Sequence, residues 1–158
     1  MSEAPVALSG ASPDLLALFV WLSPAYPVGA FAYSHGLEWA VETQEVSDLA
    51  SLTGWVDDLL RHGGPFADAV LLAHAFEAAR EGNDARLRDV LELAAAFAPS
   101  RERQMETLNQ GEAFLAATRA AWPAPLLDRL PALWDGRVAS PSAVGVAAAA
   151  HGLPLAAT

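Results

Sequence analysis

Cysteine is absent from the 158-residue sequence, and so is lysine. The first absence excludes disulfides, thiolate metal sites and cysteine nucleophiles. The second removes the lysine of a phosphate-binding loop and any Schiff-base chemistry. No Walker-type loop, dinucleotide fingerprint, nucleophile elbow or H-E-x-x-H pair occurs either. The chain should not hydrolyse nucleotides by itself, and it reads as a non-enzyme. Long apolar runs are missing too. Leu15 to Leu22 is too short to span a bilayer. The N-terminus carries Glu3 and no base, so it lacks the charged start of a signal peptide. A cytoplasmic location follows by default.

Positive charge is scarce and unevenly placed. No basic residue precedes Arg61, whereas Glu3, Asp14, Glu38, Glu42, Glu45, Asp48, Asp57 and Asp58 all do. The remainder nearly balances, with eleven acids against nine arginines, and the net charge is −10. Carboxylates repel nucleic acid and anionic membranes, so neither is an expected partner. The acidic first third suits a basic protein partner or a cation, or is simply a solvated surface.

The sequence does hold apolar residues, at 53%, with a positive mean hydropathy. That supports one core and leaves some surface for a partner or a second copy. Ala and Leu dominate over Val and Ile, and no stretch alternates with period two. The fold class is all-α, a single-domain bundle of about seven or eight helices. Residues 1–11 read as a flexible lead and 12–158 as the helical domain.

Helix signals recur along the chain. Ser12-Pro13-Asp14 opens a helix to about Leu22, and Ser23-Pro24 stops it. Pro24 to Gly29 form a turn, followed by a helix over roughly Phe31 to Thr43. Ser47-Asp48 starts a third helix, with Leu49, Leu52, Val56 and Leu59 on one stripe. Pro65 to Gly82, Asn83 to near Pro99, and Ser100 to about Trp122 give three more. Pro123, Pro125 and Pro131 break the chain around a short helical piece ending near Trp134. Ser140-Pro141 begins a last helix through Ala150.

Four histidines are the only metal-type donors besides carboxylates. His74 reads as a half-buried helix residue. His62 and His151 precede glycines at helix ends, where a cationic ring meets the helix dipole. On a continuous helix, His35, Glu38 and Glu42 would share a face and are weak candidates for a divalent metal. An acidic, partner-facing surface is the preferred reading of the same residues. Just before them, Tyr26, Phe31, Tyr33 and Trp39 form a compact aromatic set beside a Pro- and Gly-fixed turn. Such aromatics suit docking. They equally suit core packing, and the residues alone leave both readings open.

This stretch, Leu22 to Glu38, resembles the signature of the UreF family of urease accessory proteins: an S-P-x-x-P-[VI]-G loop, an aromatic, then S-x-G-L-E. Ser100-Arg101-Glu102, Glu106-Thr107 and Gln110-Gly111 resemble the family's second block, and Ser140 to Pro154 its third. The resemblance covers roughly residues 14–158.

It implies an all-α homodimer that joins a UreD/UreH-type accessory protein and a UreG-type GTPase. That complex delivers nickel to the urease apoprotein, with no cofactor held tightly by this chain. It implies partner contacts at Pro27, Gly29, Phe31, Ser34, Gly36, Leu37 and Glu38, to which the aromatic set adds Tyr33 and the acidic face Glu42. Glu38 would lie on the surface offered to the GTPase. Gly111 would permit a close helix contact. Ala30 stands where Gly or Ser is usual and His35 where Gln is frequent. Gln104, beside Arg103, stands where Arg is usual, which puts that Arg's ion pair in doubt. Family members continue past the equivalent of Ala157, so the chain reads as C-terminally truncated. The missing helices would leave apolar surface on the last helices exposed. Two other readings follow: a metallochaperone binding nickel through His35, Glu38 and Glu42, or an inactive truncated product.

Overall fold

The structure is a computed structural model that describes residues 13–29 and 36–158. The lead over 1–11, Ser12 and residues 30–35 lie outside the described residues. Eight α-helices occur among those described: α1 (Pro13–Trp21), α2 (Leu37–Glu42), α3 (Leu49–His62), α4 (Gly64–Glu81), α5 (Asp84–Ala96), α6 (Arg101–Ala121), α7 (Pro125–Leu133) and α8 (Ser140–Ala150). A 3-10 turn follows at Leu155–Ala157, and no strand is present among the described residues. The all-α expectation holds.

Local chemistry explains the boundaries. The Asp48 carboxylate accepts from the Ser51 amide at 2.8 Å, and the Ser51 hydroxyl accepts from the Asp48 amide at 3.0 Å. This reciprocal pair satisfies two amides that the first turn of α3 would otherwise leave free. Asn83 and Ser100 accept from the amides of Arg86 and Arg103 at the starts of α5 and α6. Two boundaries differ from the sequence expectation. Gly36 has φ +84°, so the helix expected through it is interrupted there and α2 begins at Leu37. Pro131 lies inside α7 and does not break it.

The core is built around α8. Pro141 to Ala148 are all buried, because α4 and α6 pack on this helix from different sides. A helix apolar on every face needs such surroundings. Small residues make the approach possible. A Cβ at Gly145 would meet the Leu72 carbonyl oxygen of α4 and come within 3.2 Å of the Phe76 nitrogen. The expectation of apolar exposure on the last helices is therefore overturned. Among the described residues, the exposed large apolar ones lie on α1 to α6 and in the segments that follow α1 and α5. α8 is covered because it sits in the middle of the bundle.

A candidate partner-docking surface

The loop after α1 is pinned from below. Trp21 closes α1 in the core, edge-on to Phe114, Trp122 and His151. Five residues on, Tyr26 turns back into the same cluster, 5.5 Å from the Phe114 ring. Its hydroxyl shares a 2.8 Å hydrogen bond with Thr118 of α6, and both residues are buried. Backbone bonds from Tyr26 to Ser23 and from Val28 to Tyr26 tighten the turn. Pro24, Pro27 and Gly29 are left on the outside. Tyr26 is thus a core anchor, and it is the other end of the aromatic set that faces solvent.

α2 presents that end. Leu37 is half-buried and Ala40 fully buried, and the Ala40 carbonyl accepts from the Val46 amide at 3.0 Å. Glu38, Trp39 and Glu42 point outward, and Trp39 is 59% exposed. Gly36 lies beside α3, where a Cβ on it would meet the Trp55 ring at 3.9 Å. Phe31, Tyr33, Ser34 and His35 lie outside the described residues. The continuous helix that would align His35 with Glu38 and Glu42 is interrupted at Gly36. Among the described residues, no group of three or more histidines and carboxylates converges on a metal position.

The other singled-out residues have structural surroundings. Gly111 of α6 faces the chain entering α8. A Cβ there would meet the Val138 carbonyl and lie 2.9 Å from the Ala139 carbonyl carbon and the Ser140 nitrogen. The Ser140 amide donates to Thr107 at 3.2 Å across the same contact. Gln104 donates to the Ala95 carbonyl at 2.7 Å. Arg103 beside it makes the ion pairs, with buried Glu106 at 2.6 Å and Asp68 of α4 at 2.9 Å. His74 is exposed rather than half-buried, 3.2 Å from the Arg86 guanidinium, because α4 turns that face outward. His62 ends α3 on the surface. His151 follows α8, with its Nε2 3.2 Å from the Trp122 carbonyl oxygen.

Sequence reasoning missed which side of α3 is covered. Its apolar stripe forms as expected, yet no residue of α3 is buried. Leu49 is 80% exposed and Val56 44%. Periodicity shows which residues share a face, not whether another element lies on it. The charge pattern was the available signal, since the same stretch holds carboxylates and no base before Arg61.

The UreF family model matches residues 46–158. The urease accessory protein UreF of Rhodopseudomonas palustris strain HaA2 is 53% identical over 145 residues, which are 92% of this chain and 61% of that protein. The protein of the same description from Bradyrhizobium diazoefficiens is 51% identical, over 91% of this chain and 60% of its own length. That of Xanthobacter autotrophicus is 52% identical, over 99% and 62%. The chain spans about 60% of the length of these curated relatives. No helix among the described residues is long and apolar enough to cross a membrane.

Proposed function

The chain belongs to the UreF family of urease accessory proteins, and on that premise we propose that it acts as a nickel-insertion chaperone that works by protein contact. In this reading it dimerises and joins a UreD/UreH-type accessory protein and a UreG-type GTPase in the cytoplasm. The complex passes nickel to the urease apoprotein. Nickel is the cargo of the assembly, and this chain holds no cofactor tightly and catalyses no step.

The observation that supports this reading is the placement of the signature stretch. Tyr26 locks the first half of the stretch to the core, and α2, which carries its last residues, leaves Glu38, Trp39 and Glu42 exposed. An exposed Trp between two carboxylates gives an aromatic anchor and a charge for orientation. The contact set proposed is Pro27, Gly29, Gly36, Leu37, Glu38 and Glu42, together with Phe31, Tyr33 and Ser34.

The test is restoration of urease activity in a strain deleted for its own accessory protein of this family. Expression of the chain should restore activity in nickel-containing medium. Failure, where the Rhodopseudomonas relative succeeds in the same strain, rejects the reading for this chain. Co-purification adds resolution. Glu38→Ala should recover about tenfold less GTPase at limiting concentration, the loss expected when a contact worth roughly 1.4 kcal/mol is removed. Undiminished recovery with a folded variant would remove Glu38 from the contact.

A further inference from the structure

α3 is a helix without an outer partner among the described residues. Its half-buried residues Trp55 and Leu59 mark the inner side, and α4 is the helix packed against it. Beside that side runs Leu49, Leu52, Val56 and Leu60, at i, i+3, i+7 and i+11, all exposed. This spacing keeps one stripe over about three turns, or roughly 16 Å. An exposed apolar stripe of that length is the pattern by which one helix receives another.

The charges beside the stripe say what kind of helix. Asp48 caps its start and Asp58 lies on the same helix, while α2 and the turn after it add Glu38, Glu42 and Glu45 just upstream in the chain. Arg61, the first base of the chain, and Asp57 neutralise one another at 2.7 Å, so the other carboxylates set the sign of this region. A second copy laid stripe on stripe would bring carboxylates against carboxylates, which disfavours that pairing. A helix with leucine-type residues at the same spacing and Lys or Arg at its margins meets both features.

We propose that the exposed face of α3 is the docking site for a basic amphipathic helix of a partner protein. This rests on the reading that the chain works by protein contact, and deepens it by naming the partner's chemistry and the helix that receives it. The apolar stripe is distinct from the signature stretch, because none of the residues resembling that signature lies on α3, although Glu38 and Glu42 upstream lend charge to both.

The test uses the whole chain and two labelled synthetic peptides of about 18 residues, long enough to span the stripe as a helix. One peptide has Leu at helical spacing and Lys elsewhere; the other replaces every Lys with Glu. Fluorescence anisotropy should show binding of the Lys peptide only, weakening as salt is raised. Val56→Ser, Leu60→Ser and Leu49→Ser should each weaken it about tenfold, with unchanged circular dichroism. Phe19→Ser on α1 and Leu93→Ser on α5 should leave it unaltered. Equal binding of both peptides would overturn the proposal, as would binding indifferent to the three α3 variants. Loss of self-association in Val56→Ser would assign the stripe to a second copy, and so also overturn it. Urease activity is not read here. Failed peptide binding therefore leaves the accessory function standing, and failed complementation leaves the stripe's assignment standing.

Discussion

Pro131 shows how one residue's missing donor is answered from another helix. A proline inside a helix has no N–H to offer the carbonyl four residues back, here that of Leu127. That carbonyl instead accepts from the Arg119 guanidinium of α6 at 2.9 Å. The bond ties α7 to α6 and explains why a sequence reading of Pro131 as a break fails: the break needs an unmet carbonyl, and this one is met. Arg119→Leu should therefore cost about 1–2 kcal/mol, the penalty of a buried acceptor left without a partner. In a Pro131→Ala background a backbone N–H is restored, and the same Arg119 change should cost roughly 1 kcal/mol less. Urea unfolding of the four proteins measures both. Equal costs in the two backgrounds would mean that Arg119 stabilises α7 by some other contact. Tyr26 carries a parallel lesson. Its place beside Pro24 and Pro27 was visible in the sequence, but its burial depends on Thr118, 92 residues away.

Among the helices, starts were legible because they are local. Asp48, Asn83 and Ser100 each bond an amide three residues on, so the signal and its partner lie within one turn. Facing was not legible, because it depends on what other elements do. α3 has the regular apolar spacing of a core helix, yet none of its residues is fully buried and, of its apolar residues, only Trp55 and Leu59 turn inward. α8 has no polar side to orient it and lies at the centre. Gly36 reads as part of a helix in the sequence, but its positive φ places the start of α2 after it. The start of α3 also carries a pH dependence. Hydrogen bonds from the Ser51 hydroxyl and then the Ser51 amide hold the Asp48 carboxyl below its ordinary range. A depressed value means that the cap is complete above the ordinary aspartate range and is lost as pH falls through the lowered one. The Ser51 amide shift, followed by NMR, should thus titrate below an unperturbed aspartate. In Asp48→Asn the cap should persist and the titration vanish, since Asn caps as well as Asp. A midpoint at the ordinary aspartate value would show that the cap does not favour the charged form.

For the molecule as a whole, apolar exposure and net charge act against each other. Exposed Leu, Phe, Trp and Val occur on α1 to α5, which favours association, while a net charge of −10 opposes it. The two forces differ in range. Charge repulsion reaches about 10 Å in roughly 0.1 M salt and about 3 Å in roughly 1 M, whereas apolar contact needs no field to persist. Raising sodium chloride between these limits should therefore increase the mass-average assembly size of the isolated chain in sedimentation equilibrium. Binding of a basic helix to α3 should move the opposite way, because there charge supplies attraction. The opposed slopes separate the two uses of apolar surface in one protein. If self-association weakened with salt instead, its contacts would be ionic. The paired surface arginines, such as Arg137 with Glu112 at 2.6 Å and Arg129 with Asp84 at 2.8 Å, would then be the first groups to substitute. If peptide binding strengthened with salt, the carboxylates around α3 would be bystanders, and only its leucines and Val56 would define what docks there.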